Sequence, residues 1–170
     1  MSKMMDAFNE QIKNEFYSAY MYLAMSAYFA DMGLPGFASW MRVQAQEEVT
    51  HATKMYDYVL SRGGQVVLKA IDAPPASWKS PLDVLEAGLA HEKFVTKCLN
   101  EMTDLAIKEK DHAAQIFLTW YITEQVEEEQ SFGDIVSALK LISGDGRGLL
   151  MLDRELAART FVDETQTAAE

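Results

Sequence analysis

The 170-residue sequence predicts an all-α protein: a four-helix bundle with a long connection between the second and third helices and a short fifth helix. Apolar residues recur in steps of three and four along four long segments, and the alternation typical of strands is almost absent. The connection, residues 63–80, contains Gly63-Gly64 and Pro74-Pro75 and cannot be helical throughout. A connection of this length can run along the bundle, so the helices that it joins need not be antiparallel.

The four long helices are predicted over residues 4–32, 35–62, 81–109 and 112–143. Pro35 suits the first turn of the second helix, and Ser80-Pro81 supplies a cap and first turn for the third. Three glycines end the fourth helix, and an amphipathic fifth helix is expected over residues 148–159, followed by a frayed tail at 165–170. We expect residues 1–170 to form a single domain.

Composition narrows the classes of function. A net charge of −11 and a pI near 4.7 disfavour nucleic acid as a partner and favour the attraction of cations. No apolar run reaches the roughly 18 residues of a membrane span, and residues 1–6 lack the pattern of a secretory signal. Cys98 is the single cysteine, which excludes an internal disulfide or a CxxC metal motif. We expect a soluble cytoplasmic protein.

Polar side chains interrupt each of the four apolar seams near its middle. The interruptions are Glu15, Glu48 with His51, Glu92, and Gln125 with Glu128. A buried charged Glu is costly unless it is paired, protonated or bound to a metal. One such residue is more often structural, but four seams interrupted at matching depth favour a shared site. Four carboxylates balance two divalent cations, and oxygen and nitrogen donors without a thiolate suit iron or manganese.

At these positions the sequence resembles a known family, the non-haem bacterial ferritins. The motifs that carry the resemblance are NEFYS at 14–18, QAQEEVTH at 44–51, HE at 91–92 and WYITEQVEEE at 120–129. The resemblance extends from about Phe8 to Leu156. It implies a ferritin-like bundle assembled into a hollow shell of 24 subunits that encloses an iron mineral. Inward Glu residues combined with Glu-x-x-His are the ligand pattern of di-iron bundles in general.

The resemblance also implies metal-binding roles for individual residues. The first iron position of the diiron centre matches Glu15, Glu48 and His51. The second matches Glu48 as a bridge, Glu92 and Glu128, with Gln125 close by. A third iron position of bacterial members matches Glu47, Glu124 and Glu127, sharing Glu128.

The sequence predicts less specific roles for the aromatic and histidine residues near these positions. Tyr22 matches a tyrosine beside the diiron site, where it either donates an electron during oxidation or is a plain core residue. Trp120 matches a family tryptophan, and packing is its favoured role. His91 precedes Glu92 by one residue and points to a different face, so we expect it beside the site or at an interface.

Two departures from related proteins restrict the implied function. The fourth helix carries Gln125 and Glu128 in place of a second Glu-x-x-His, and Val49 stands where haem-binding relatives have Met, so no haem is expected. Gln115 and Leu118 align with acidic residues that line iron channels in animal ferritins. The resemblance therefore does not imply iron uptake by that route.

The implied activity is that of a ferroxidase. Fe²⁺ is oxidised to Fe³⁺ at the diiron centre by O₂ or H₂O₂ and deposited as ferric mineral inside the shell. Two alternatives stay open: a storage scaffold subunit without catalytic activity, and a diiron redox enzyme of the peroxidase type. A DNA-binding protector is disfavoured by the net charge of −11.

Overall fold

Five α-helices form the regular structure of the computed structural model, which describes residues 2–163 and 165. In chain order they are α1 (Lys3–Asp31), α2 (Pro35–Ser61), α3 (Pro81–Glu109), α4 (His112–Ile142) and α5 (Gly146–Leu156). The described residues contain no β-strand. The prediction of an all-α four-helix bundle with a short fifth helix is confirmed.

The helices pack mainly as two pairs. α1 lies along α2 and α3 along α4, while α1 also contacts α3 and α5 docks against α2 and α4. Residues 32–34 and 110–111 join the members of each pair, and such short turns make them antiparallel. The connection between α2 and α3 is tied to α1 by Asn9, which donates to the Gln65 carbonyl at 3.0 Å and accepts from the Val67 N–H at 2.8 Å.

The bundle interior consists of two apolar clusters separated by a polar layer. One cluster contains Tyr22, Phe29, Trp40, Leu85 and Phe132 among others. The other includes Phe8, Met55, Leu99, Leu118 and Tyr121. The layer between them contains the buried side chains Glu15, Glu48, His51, Glu92, Gln125 and Glu128. Each large apolar side chain contributes about 1.5–3 kcal/mol through burial, so the clusters hold the polar layer in place from both sides.

Side-chain caps define where several helices begin. Ser80 accepts a hydrogen bond from the Asp83 N–H at 3.1 Å, as the Ser-Pro pair predicts. The fifth helix spans Gly146–Leu156, so it begins two residues and ends three residues before the approximate bounds 148–159 predicted from the sequence. Asp145 starts it by accepting from the N–H groups of Arg147 and Gly148 at 3.3 and 3.1 Å. An Asp cap therefore prevails over the breaking tendency of the neighbouring glycines.

A residue of α5 caps α2. The first residues of α2 have no cap of their own, because Leu34 at the cap position makes no side-chain hydrogen bond. Asp153 instead accepts from the Phe37 N–H at 3.0 Å and is 6% exposed. A Cβ atom at Gly36 would lie 1.6 Å from the Asp153 carbonyl oxygen, so this approach requires glycine.

None of the helices in the described part of the chain combines the length and apolar character that a membrane crossing requires. The tail expected at 165–170 lies outside the described residues except for Thr165, whose carbonyl accepts a hydrogen bond from Lys54 at 3.4 Å.

Candidate metal centre

Three side chains that could bind a metal ion meet at the middle of the bundle. Glu15 from α1 and Glu48 and His51 from α2 each offer one donor atom, and these atoms all lie within 4.8 Å of one another. Glu48 and His51 are one helical turn apart and share a face of α2. Donors bound to one divalent ion at about 2.0–2.2 Å lie at most about 4.4 Å apart. Small side-chain movements are enough for all three to bind a single ion.

Glu92 from α3 and Glu128 from α4 complete the polar layer. Their side chains are buried, and repulsion from their charges raises the pKa of Glu48. They do not belong to the group of three side chains whose donor atoms lie within 4.8 Å of one another. Gln125 Nε2 donates to Glu92 Oε2 at 3.0 Å and to the Glu92 carbonyl at 3.2 Å. We call Glu15, Glu48, His51, Glu92 and Glu128 the inner centre.

The inner centre has an excess of negative charge. Burial, followed by repulsion from Glu92, raises the pKa of Glu48 well above its ordinary value. Burial, followed by repulsion from Glu128, raises the pKa of Glu92 to about 8. In the described part of the chain no lysine or arginine is buried. A cluster of this kind must either retain protons or bind cations.

The inner centre contains one buried oxygen atom, in Glu48, that accepts no hydrogen bond from the described residues. Among the described residues, Glu48 Oε2 is enclosed and has no hydrogen-bond partner. The nearest basic atom is His51 Nδ1 at 3.6 Å, which is beyond hydrogen-bonding distance. A buried oxygen without a partner costs free energy, and a metal ion bound by Glu48 and His51 would remove that cost.

Two glutamines that were not predicted as site residues position the carboxylates. Gln11 Nε2 donates to Glu15 Oε1 at 2.8 Å, and Gln44 Nε2 donates to Glu128 Oε2 at 2.7 Å. Gln11 precedes Glu15 by four residues, and Gln44 precedes Glu48 by four. The spacing matches a contact only for Gln11, because Gln44 donates to a residue of α4 and not to Glu48.

Tyr22 and His91 lie beside the inner centre. The Tyr22 hydroxyl donates to Glu92, and burial followed by the Glu92 charge raises the pKa of Tyr22 well above its ordinary value. An electron-donating role for Tyr22 stays a prediction. His91 Nε2 lies 2.8 Å from Ser18 Oγ, and burial lowers the pKa of His91 to about 4. His91 is therefore neutral near pH 7 and turns toward α1.

The three residues predicted for a third iron position line one cavity. Glu47, Glu124 and Glu127 form what we call the outer cluster, in the wall of a cavity of about 50 Å³ that also reaches His51 of the inner centre. This volume is sufficient for water molecules or an ion. Trp120 lies in the same wall.

Trp120 packs between charged and polar neighbours. Its ring lies edge-on to the His51 ring with centroids 5.4 Å apart, and Lys54 Nζ lies 4.2 Å from the centre of the indole. These contacts agree with the packing role expected for Trp120.

Gln115 and Leu118 are not equivalent in the structure. Leu118 is fully buried in the second apolar cluster, so its side chain packs in the core and does not line a channel. Leu118 follows the inward seam of α4, whereas Gln115 is half-buried.

Comparison with known proteins identifies relatives over nearly the full chain. Residues 5–142 match the Ferritin family, described as a ferritin-like domain. The chain is 43% identical to a bacterial non-heme ferritin of Staphylococcus saprophyticus over 164 residues, covering 96% of this chain and 98% of the relative. It is also 43% identical to a bacterial non-heme ferritin of Bacteroides fragilis, covering 92% and 98%.

Solved structures give the same result. A closed form of the Archaeoglobus fulgidus ferritin, engineered by site-directed mutagenesis, superposes with a TM-score of 0.94 at 52% identity over 95% of this chain and 99% of that chain. The open-pore ferritin from the same archaeon superposes with a TM-score of 0.93 at 52% identity, covering 94% and 99%. The resemblance indicated by the sequence motifs is confirmed.

Proposed function

Since the chain belongs to the ferritin family, we propose that it oxidises Fe²⁺ at the inner centre and stores the Fe³⁺ product as mineral inside a hollow shell of identical subunits. The observation that carries the proposal is the polar layer between two apolar clusters, in which Glu48 keeps a buried oxygen without a partner among the described residues. The shell of 24 subunits and the cytoplasmic location are part of the proposal and rest on the resemblance.

Two Fe²⁺ ions are the substrates, and this chain's residues divide between them. Glu15, Glu48 and His51 would hold the first ion, a geometry supported by the 4.8 Å limit on their donor atoms. Glu48, Glu92 and Glu128 would hold the second, with Glu48 between the two ions. Gln125 stays close to the second ion through its hydrogen bonds to Glu92.

The protein provides charge and position, while the oxidant accepts the electrons. Each Fe²⁺ loses one electron, so two ions reduce O₂ to H₂O₂, or H₂O₂ to two water molecules, with uptake of two protons. Protons held by Glu48 and Glu92 in the metal-free protein must leave when those carboxylates bind iron, since their pKa values are raised. The charge of the carboxylates then stabilises Fe³⁺ more than Fe²⁺.

The outer cluster is the proposed third iron position. Glu47, Glu124 and Glu127 share one cavity with Glu128 and His51, so an ion leaving the inner centre on this side meets further carboxylates. We assign to this cluster the passage of iron between the inner centre and the storage space. No haem is part of the proposed function.

Stopped-flow absorbance of Fe²⁺ oxidation tests the proposal at two Fe²⁺ per subunit. Glu48→Gln and His51→Ala should each lower the initial rate by two orders of magnitude or more, because each removes a donor at the shared position. Glu101→Gln is the matched control, since it removes a carboxylate that is 67% exposed on α3. Unchanged rates in the first two variants would contradict the assignment and favour a storage subunit without catalytic activity.

A further inference from the structure

The segment that follows α5 places a positive charge at the outer cluster. Arg159 donates from one terminal nitrogen to Glu47 Oε2 at 2.7 Å and from the other to Gln44 Oε1. Its guanidinium also stacks over the Trp40 ring, with the carbon centre 4.8 Å from the ring centroid. The side chains of Arg159 and Glu47 are only 28% and 14% exposed, so this ion pair is partly shielded from solvent.

Gln44 joins Arg159 to the inner centre. Its Oε1 accepts from Arg159, while its Nε2 donates to Glu128 Oε2 at 2.7 Å. A guanidinium has donors and no acceptor, so it fixes the orientation of the buried amide and directs the amide nitrogen at Glu128. Moving Arg159 therefore frees Gln44 to turn and removes a hydrogen bond from Glu128.

Arg159 lines the same cavity as the outer cluster. Glu47, Glu124 and Glu127 surround this space together with the guanidinium, so a cation is already present where a divalent ion would bind. An arginine keeps its charge at every physiological pH, and a fixed positive charge raises the free energy of a second cation close to it.

We propose that Arg159 is the resident counter-cation of the outer cluster, which a divalent ion must displace from Glu47 in order to bind there. The proposal rests on the function assigned above. Arg159 lowers the affinity of the outer cluster so that Fe²⁺ fills the inner centre first. Its departure releases Gln44 and Glu128, and the occupancy of the outer cluster is thereby coupled to the geometry of the inner centre.

Calorimetric titration with Co²⁺, without any oxidation, tests this directly. Glu48→Gln should abolish Co²⁺ binding to the inner class of sites, and Glu127→Gln should abolish binding to the outer class. The two variants therefore show which binding step belongs to which class. Arg159→Gln should strengthen the outer class about tenfold, because it removes the competing charge and leaves a shorter, uncharged polar side chain. The matched control Arg154→Gln removes the same charge from an exposed position of α5 and should leave both classes unchanged.

Arg159→Lys separates charge from shape. Lysine keeps a positive charge near Glu47 but cannot bridge Glu47 and Gln44 with a planar fork, so the outer class should stay within about threefold of the wild type. An outer class that is unchanged or weaker in Arg159→Gln would overturn the proposal, as would an equal gain in Arg159→Lys. If Glu48→Gln left the inner class intact, the assigned function would fail instead, independently of the response to Arg159. Melting temperatures of all variants verify that the fold is retained.

Discussion

Replacing Glu92 by Gln should stabilise the metal-free protein at neutral and alkaline pH, with no gain near pH 4. Burial, followed by repulsion from Glu128, raises the pKa of Glu92 from an ordinary value of 4.5 to about 8. The folded protein therefore binds the Glu92 proton more tightly than the unfolded chain does. The stability that this proton contributes is fully present below the unfolded pKa and is lost as the pH rises through the folded pKa.

The size of the effect follows from the same two pKa values. At pH 7 the unfolded carboxyl has released its proton and the folded one has mostly kept it, which costs the folded state on the order of 3 kcal/mol relative to an uncharged side chain. A glutamine of the same shape does not have this cost. It also keeps an oxygen that accepts from Tyr22 or Gln125, so the packing of the layer changes little.

Urea unfolding of chelator-treated protein between pH 4 and pH 8 measures this difference. The free energy of unfolding of Glu92→Gln should match that of the wild type near pH 4 and exceed it increasingly toward pH 8. Glu101→Gln, exposed on the same helix, should follow the wild type throughout. Parallel curves for Glu92→Gln and the wild type would refute the inference that the inner centre is electrostatically strained without metal.

Three further predictions concern α5, Tyr22 and packing between helices. Asp153→Ala should cost about 1–2 kcal/mol in urea unfolding, since it uncaps α2, and an unchanged midpoint would show that α5 only rests on the bundle. Gly88→Ala should cost about 1–3 kcal/mol, because a Cβ there lies 2.3 Å from a Phe132 ring atom, and equal stability would contradict this contact. Tyr22→Phe should keep Co²⁺ binding but weaken it, because Glu92 loses a hydrogen bond that favours its charged form, and it should abolish any tyrosyl radical signal during Fe²⁺ oxidation. A radical that persists in Tyr22→Phe would exclude Tyr22 as its source.

The polar layer could be predicted from the sequence because helical periodicity is a strong constraint. Glu15, Glu48 and Glu92 interrupt otherwise apolar seams, and the cost of burying an unpaired carboxylate makes such positions informative. The structure places all three inside the bundle, 2% exposed or less. The start of the third helix could also be predicted, because Ser80 is of a residue type that caps helix N-termini.

Residues that support the ligands were harder to predict. Gln11 and Gln44 carry no charge, and an amide is equally suited to a helix surface. Their positions therefore lack the high cost of burial that makes an inward carboxylate informative. Arg159 lies beyond the last helix, where no periodicity relates it to α2. Its contacts with Glu47 and Gln44 span more than a hundred residues of chain and depend on how α5 docks. Tertiary packing, which the sequence pattern does not encode locally, determines these contacts.

Anomalous diffraction at the iron edge, from crystals soaked with Fe²⁺ under anaerobic conditions, would show whether the inner centre binds two iron ions. We expect two strong peaks in each subunit, one among Glu15, Glu48 and His51 and the other among Glu48, Glu92 and Glu128. Iron bound only at surface carboxylates, with both of these positions unfilled, would contradict this expectation.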